Sequence, residues 1–223
     1  MLGFNIPTGN NFRYDLTVTN FVCMPAINQY DLIRSSILEQ LSRELRSDLY
    51  YHSVDHTIDV EKQAIRIAGE LGCSQPDLFL LKLACLYHDS GFLFTYTDHH
   101  EEAGCNLAMQ QLPAFGVGEQ ELAVICGLIR ATKIPQTPLT PLEEIICDAD
   151  LDYLGRQDFF GISYCLYLEL QVRQLVTNEI AWNKIQVKFF KQHNYFTAVS
   201  QLQRAGIKQE HLQIIESELA ASI

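Results

Sequence analysis

The chain has 223 residues, of which 48% are hydrophobic and 19% are charged, and its formal net charge is −11 at pH 7. This is the composition of a globular protein rather than a disordered one, and the length suits one large domain or two smaller ones. The acidic balance argues against a general nucleic-acid binder, because counterion release needs clustered Lys and Arg, but it does not exclude anionic substrates at a site where bound cations reverse the local field.

Apolar residues recur at helical spacing along nearly the whole chain, and no segment shows the sustained alternation of a half-buried strand. Two helix-start signals agree with this period: Ser74 begins the capping sequence Ser-Gln-Pro-Asp, and Thr140 begins Thr-Pro-Leu-Glu. We therefore predict an all-α fold, a single-domain helical bundle over residues 1–223. The expected helices, in chain order, cover about 29–49, 56–71, 74–89, a fourth from Asp98 with Glu101, then 120–132, 140–154, 158–177, 180–193 and 196–220.

The cysteines and the N-terminal residues indicate the cellular compartment in which the protein is expected. The seven cysteines are scattered without a C-x-x-C pair, which is typical of reduced, buried thiols. The N-terminal MLGFNIPTGN lacks the basic start and apolar core of an export signal. The longest apolar run, 78–87, is about half a membrane span. We therefore expect a cytoplasmic protein with no membrane partner.

Two aspartates of the sixth predicted helix, Asp148 and Asp150, fall on different faces. Asp150 shares a four-residue spacing with the apolar Ile146 and Leu154. Asp148 shares its face with Asp152 and other acidic residues. Since a carboxylate in an apolar stripe needs a partner, we expect Asp150 to point inward and the other two aspartates to form a solvated stripe.

Further polar residues lie where the pattern predicts the interior. His56 extends the apolar stripe of the second helix backwards by one turn, and His52 lies four residues earlier. His88 and Asp89 follow the longest apolar run, where an unpaired carboxylate would cost several kcal/mol. Two imidazoles and two carboxylates suit Mn, Fe, Co, Ni or Zn better than Ca. The sequence therefore predicts a divalent transition-metal site with four candidate ligands: His56, His88, Asp89 and Asp150.

The order His…His-Asp…Asp on successive helices resembles the HD-domain superfamily of metal-dependent phosphohydrolases, over about residues 50–155. The stretch YHSVDHTIDV at 51–60 is also similar to the Y-H-N-x-x-H-x-x-D-V signature of cyclic-nucleotide phosphodiesterases. The resemblance implies an HD-type helical domain in which Asp89 bridges to a second ion where one is present and His52 protonates the leaving group. It also implies that the four residues above are the metal ligands.

Two departures from the family pattern concern the substrate and the second ion. Ser53 stands where the phosphodiesterase signature has asparagine, so cyclic nucleotides are not singled out. Two-metal HD enzymes usually carry further histidines after the His-Asp pair. His99 and His100 offer one, but residues 130–135 contain none. The sequence leaves open whether the site binds one ion or also a second ion such as Mg.

The functional hypothesis is hydrolysis of a phosphate ester, of a nucleotide or of another small phosphorylated metabolite. A divalent ion would activate water and offset charge on the phosphoryl oxygens, with His52 and Asp89 as catalytic residues. Five further residues are candidates to orient a ligand or to contact substrate: Asp59, His100, Glu101, Arg130 and Lys133.

Two other functions remain open at this stage. One is di-iron oxygenase chemistry, against which the missing later histidine counts. The other is a regulatory protein that keeps the fold and binds a nucleotide without turnover. The sequence indicates neither the oligomeric state nor the substrate. Four aromatic residues either stack on a base or belong to the core: Phe159, Phe160, Tyr164 and Tyr167.

Overall fold

The computed structural model describes residues 27–96 and 99–222, and within these ranges the protein consists of nine α-helices joined by loops and short 3-10 turns, with no strand. This confirms the predicted all-α fold. None of the helices in these ranges is long and apolar enough to span a bilayer. The helices are α1 (Ile27–Glu44), α2 (Val54–Glu70), α3 (Gln75–Tyr87), α4 (His100–Gln111), α5 (Glu119–Ala131), α6 (Pro141–Asp150), α7 (Phe159–Val172), α8 (Glu179–Gln192) and α9 (Ala198–Ala221).

The two capping signals begin helices where the sequence predicted them. The hydroxyl of Thr140 accepts a hydrogen bond from the backbone N–H of Glu143 at 3.3 Å, and the Glu143 carboxylate accepts one from the backbone N–H of Thr140 at 3.2 Å. The hydroxyl of Ser74 accepts one from the backbone N–H of Asp77 at 3.2 Å. Each cap satisfies backbone donors that the first turn of a helix leaves without partners.

Four helices end earlier than their periodicity indicates, and one of them is α7, which ends at Val172 rather than near residue 177. α1 ends at Glu44 rather than near residue 49, and α3 ends at Tyr87 rather than near residue 89. α6 ends at Asp150, and the 3-10 turn Asp152–Gly155 takes the place of its predicted last turn. Asp98, which was predicted to open the fourth helix, lies outside the described residues.

Two main hydrophobic clusters organise these helices. The first joins α1 to α6 and is centred on α3, where Leu81 and Ala84 are fully buried between α2 and α5. The second joins the turn Asp152–Gly155 to α7, α8 and α9 through Phe159 and Phe190. α6 ends where the two clusters meet, so a side chain at its last residue, Asp150, lies between them.

The prediction that Asp148 is solvated is wrong, because its side chain is fully buried. Its carboxylate accepts hydrogen bonds from the backbone N–H groups of Phe196 and Thr197, both at 2.8 Å, and from the Thr197 hydroxyl at 2.7 Å. Asp148 thus ties α6 to the start of α9. The partners lie almost fifty residues away along the chain, so the face of the helix alone does not reveal them.

Asp152, also predicted to be solvated, is fully buried as well. One of its carboxylate oxygens accepts hydrogen bonds from Arg66 at 2.7 Å and Arg204 at 2.9 Å, and the other lies 3.5 Å from the guanidinium of Arg156. These arginines come from α2, α9 and the segment before α7. An acidic residue shared by several arginines can be buried because its charge is offset on all sides.

Candidate metal centre and adjoining cavity

Three helix ends meet at the centre of the predicted site. Ser53 caps α2 by accepting a hydrogen bond from the backbone N–H of His56 at 3.4 Å, which places His56 in the first turn. His88 is the C-cap residue of α3, directly after Tyr87, and Asp89 follows it. Asp150 is the last residue of α6. Side chains at helix ends converge here because the three helices pack against one another.

The structure brings the four predicted ligands together. The Nε2 atoms of His56 and His88 lie 3.3 Å apart. The Nε2 atom of His56 lies 3.2 Å from Asp150 Oδ1 and 3.3 Å from Asp89 Oδ2, and that of His88 lies 3.7 Å and 3.2 Å from the same two atoms. Ligand bonds of about 2.0–2.2 Å to one ion would separate neighbouring ligand atoms by roughly 3–3.5 Å. Ligand atoms of His56, His88 and Asp150 all lie within 4.8 Å of one another, a spacing that suits one metal ion, and Asp89 Oδ2 lies beside both imidazole nitrogens.

The carboxylate of Asp89 lacks the partners that a buried charge needs. It is nine-tenths buried, and its Oδ2 atom receives no hydrogen bond within the described part of the chain, although two imidazole nitrogens lie at ion-pair distance. The distances from Asp89 Oδ2 to these nitrogens would allow a hydrogen bond, but the relative orientation of the groups does not. An orphaned carboxylate oxygen that faces two imidazole nitrogens is the arrangement expected of a ligand set.

Charge within the cluster is also unbalanced. Burial alone would lower the pKa of His56, but the neighbouring carboxylates of Asp150 and Asp89 raise that pKa to about 10. The pKa of His88 is likewise raised by Asp89 against the effect of burial. Burial would raise the pKa of Asp89, yet the neighbouring histidines hold it well below its usual value. Two buried carboxylates thus draw positive charge into this site, which a divalent cation would supply.

The tautomer of His88 suits metal coordination. Its Nδ1 atom lies 2.8 Å from the backbone carbonyl oxygen of Cys85 on the preceding turn of α3. Since a carbonyl oxygen only accepts, Nδ1 carries the proton and donates it. The lone pair of Nε2 then points into the cluster, as in metal sites whose histidine ligands are oriented by a second hydrogen bond.

His52 lies beside the cluster and is held by a residue that sequence reasoning missed. Its Nδ1 atom lies 2.5 Å from Oε1 of Glu169 on α7, and Glu169 Oε2 accepts hydrogen bonds from the backbone N–H groups of Tyr51 at 3.0 Å and His52 at 3.1 Å. Glu169 is fully buried. Burial alone would raise its pKa, but these hydrogen bonds lower it, so the group is ionised. A lone glutamate within the apolar sequence of α7 was the signal available.

A second set of polar side chains faces the other oxygen of Asp89. The Nε2 atom of His100 lies 3.6 Å from Asp89 Oδ1 and 3.5 Å from Oε1 of Glu101. The ring of Phe92 stacks on His100, with ring centroids 4.2 Å apart, and lies 4.3 Å from the ring centroid of His52. His100 and Glu101, both predicted site residues, therefore lie next to the cluster on the side of Asp89.

Two glycines allow α4 to approach the His-Asp segment this closely. A Cβ atom at Gly91 would overlap the backbone carbonyl of His100. A Cβ atom at Gly104 would lie 2.5 Å from the backbone carbonyl oxygen of Tyr87. Any side chain at either position would push α4 away, and with it the imidazole that faces Asp89.

Two of the predicted residues lie elsewhere. Asp59 contacts Arg156 at 2.7 Å and Gln63 at 3.2 Å, and neither partner is a proposed metal ligand. Arg130 is half exposed and forms two hydrogen bonds, at 2.7 and 2.8 Å, to the carboxylate of Glu102. Neither residue lines the cavity described next.

A cavity of 540 Å³ opens from the cluster. Its polar end contains side chains of the cluster, His52 and two basic residues, the predicted Lys133 and the unpredicted Arg173. Its far wall consists of apolar and aromatic residues of α7 and α8. Of the four aromatic residues singled out in the sequence, Phe159 lines the cavity; Phe160 and Tyr164 are exposed, and Tyr167 packs against Trp182.

Comparison with known proteins agrees with this architecture. Residues 53–152 match the family model of the HD domain, which covers the helices that present His56, His88, Asp89 and Asp150. A search of curated proteins finds no significant match.

Solved structures share the fold at low sequence identity. A Lactobacillus plantarum protein is 19% identical with a TM-score of 0.62, over 89% of this chain and 100% of its own. Bacillus subtilis YpgQ in complex with ADP is 16% identical with a TM-score of 0.61, over 87% of this chain and 97% of its own. A predicted HD superfamily hydrolase from an uncultured Thermotogales bacterium is 20% identical with a TM-score of 0.52, over 85% of this chain and 92% of its own.

Proposed function

We propose that this protein, whose residues 53–152 match the family model of the HD domain, hydrolyses a phosphate ester of a small metabolite. The observation that carries the proposal is the orphaned Oδ2 atom of Asp89 among two imidazoles and a second carboxylate, at the polar end of a cavity that also contains His52. A metal ion and a proton donor at one end of a cavity are the two groups that this reaction requires.

The proposal assigns the ion to His56, His88, Asp89 and Asp150. The mixture of nitrogen and oxygen donors favours Mn, Fe, Co, Ni or Zn. When bound, such an ion lowers the pKa of a water ligand and offsets negative charge on the phosphoryl oxygens. Oδ1 of Asp89 faces His100 and Glu101, so we propose these three residues as the place for a second ion, Mg included.

His52 is proposed as the proton donor to the leaving oxygen. Its Nδ1 is occupied by Glu169, which leaves Nε2 as the nitrogen available to a substrate in the cavity. Glu169 acts as a positioning residue, because it fixes both the backbone and the ring of His52. Lys133 and Arg173 line the same cavity and are proposed to contact phosphoryl oxygens.

The test combines metal content with turnover. Protein purified without chelator is expected to contain a transition metal, and adding Mn to stripped protein is expected to raise its Tm, since a ligand that binds only the folded state stabilises it. Asp89→Asn should abolish both the Tm shift and phosphate release from a generic phosphate ester. The matched control is Asp31→Asn, an exposed aspartate on α1, which should preserve both. Wild-type protein without metal, and without a Tm shift on addition of Mn, would refute the metal site.

A second candidate function is nucleotide sensing, which the ADP complex of the Bacillus subtilis relative favours. A sensor would bind ADP with the ion present and would release no phosphate from it or from other esters. Calorimetric binding of ADP together with phosphate release from the same metal-loaded preparation separates a sensor from a hydrolase.

A further inference from the structure

Beyond the cluster, the cavity is bounded on one side by a wall of apolar side chains. Seven residues of α7 and α8 form this apolar wall, and they are Phe159, Leu166, Leu170, Trp182, Ile185, Phe189 and Phe190. At 540 Å³, the whole cavity is large enough for a ligand well beyond a phosphoryl group. Whatever is esterified to the phosphate must therefore lie against this wall.

The one side-chain amide that α7 and α8 present to the cavity, Gln186, already has its partners. Its Oε1 atom accepts a hydrogen bond from the Ser163 hydroxyl at 2.6 Å, and its Nε2 atom donates to Asn183 Oδ1 at 2.9 Å. A nucleobase edge carries several donors and acceptors, and leaving them unpaired against an apolar wall is costly. The wall is thus better suited to a hydrocarbon than to a base.

Charge at the polar end favours a single phosphoryl group. Three carboxylates of the described residues line it: Asp89, Glu101 and Asp150. The two basic residues that line it are Lys133 and Arg173. Arg173 is also committed elsewhere, since it donates to the backbone carbonyl of Tyr96 and lies 3.6 Å from the Glu169 carboxylate. A polyphosphate chain would bring further negative charge to this end, and the described lining residues include no lysine or arginine besides these two to offset it.

We propose that the substrate is a phosphate monoester of an apolar alcohol, with the phosphoryl group at the cluster and the hydrocarbon along the apolar wall. This inference rests on the proposed hydrolase function. In the reaction, the oxygen of water forms a bond to phosphorus and the bond between phosphorus and the alcohol oxygen breaks. His52 gives a proton to that oxygen, and the products are the alcohol and inorganic phosphate.

The first experiment measures binding without turnover. Alkyl phosphonates from ethyl to decyl, whose C–P bond is not hydrolysed, are titrated into manganese-loaded protein by calorimetry. Burying each added methylene should lower Kd about fourfold until the wall is covered, and the heat-capacity change should become more negative. Adenosine monophosphate should bind more weakly than hexylphosphonate. A Kd that does not change with chain length, or tighter binding of the nucleotide, would overturn the proposal.

A matched pair of variants tests whether the alkyl chain of the ligand contacts α8. Ile185 and Ile180 are both on this helix and are 45% and 37% exposed, but only Ile185 lines the cavity. Ile185→Asn should reduce the dependence of Kd on chain length, whereas Ile180→Asn should leave it as in the wild type. An equal loss in both variants, or no change in Ile185→Asn, would contradict the placement.

Phosphate release from the corresponding alkyl phosphates separates the two proposals. If kcat/KM rises with chain length, both stand. If the esters are hydrolysed with no dependence on chain length, the protein is a hydrolase and the apolar substrate is refuted. If the phosphonates bind with the expected dependence but no ester releases phosphate, hydrolysis is refuted while the apolar class of ligand stands.

Discussion

Glu169→Gln is the substitution that isolates the role of the glutamate from its contribution to folding. The two backbone N–H donors of Tyr51 and His52 both bind Oε2, and the imidazole of His52 binds Oε1. A glutamine can place its carbonyl oxygen at the Oε2 position and keep both backbone bonds. The opposite orientation would set its NH₂ group against two donors. The amide therefore faces the ring, and only the contact to His52 Nδ1 changes from acceptor to donor.

The size of the effect follows from this geometry. Losing one charge-assisted hydrogen bond while two are kept should reduce the free energy of unfolding by about 1–3 kcal/mol. The rate should fall much further, because general-acid catalysis is worth about 10²–10⁴-fold. Glu169→Gln should therefore approach the rate of His52→Asn, and the double variant should be no slower than either single one, because the two residues act as a unit.

The assay compares two aryl phosphates at saturating manganese. Phenyl phosphate needs its leaving oxygen protonated far more than 4-nitrophenyl phosphate does, so Glu169→Gln should slow the first much more than the second. A change that only loosened the fold would slow both alike. Glu179→Gln, at an exposed glutamate on α8, is the matched control. A folded Glu169→Gln protein with normal metal content and phenyl phosphate turnover within about threefold of wild type would refute the role of a positioning residue, given the factor expected for a lost general acid.

Two further predictions concern stability. Asp148→Ala leaves the backbone donors of Phe196 and Thr197 without an acceptor and should lower the free energy of unfolding in urea by about 1–3 kcal/mol for each donor left unsatisfied; a total loss below about 1 kcal/mol, the level of a surface substitution, would contradict the tie between α6 and α9. Burial and the nearby Lys208 lower the pKa of His193 to about 3, so the folded protein keeps this imidazole neutral while the unfolded chain protonates it near its ordinary pKa of 6.5. Below that pH, this group should lower the free energy of unfolding by up to about 1.4 kcal/mol per pH unit. His193→Phe should remove this contribution to the slope of unfolding free energy against pH between pH 6.5 and 4. Identical slopes in the wild type and the variant would contradict the prediction.

The sequence was informative about the metal cluster because its signals are local. His88 and Asp89 follow an apolar run directly, and His56 and Asp150 each continue an apolar face, so each could be recognised from residues within two turns. The same reasoning was wrong for Asp148 and Asp152. Acidic residues at four-residue spacing usually form a solvated face, but here a distant segment and three arginines cover it. Helical periodicity tells which residues share a face and does not tell what packs on that face.

Glu169 shows why sequence reasoning missed part of the site and which signal could have revealed it. It lies more than a hundred residues from the backbone groups that it binds, so no spacing rule connects them. A carboxylate in the apolar sequence Tyr167-Leu168-Glu169-Leu170 nevertheless demands a buried partner. The argument that identified Asp89 and Asp150 applies equally here, and the structure supplies the partners as two backbone N–H groups and the imidazole of His52.

The division of the site along the chain has a consequence for specificity. The four proposed ligands lie within residues 53–152, where the HD-domain model matches. Glu169 and the apolar wall come from α7 and α8, and Arg173 directly follows α7, so all of them lie after that segment. If the proposed function is right, substitutions in these later helices should change which ester fits the cavity without altering a proposed metal ligand. Because the proposed metal ligands and the apolar wall belong to separate helices, exchanging α7 and α8 with those of a structural relative should change the preferred ester while the Tm shift with manganese is retained.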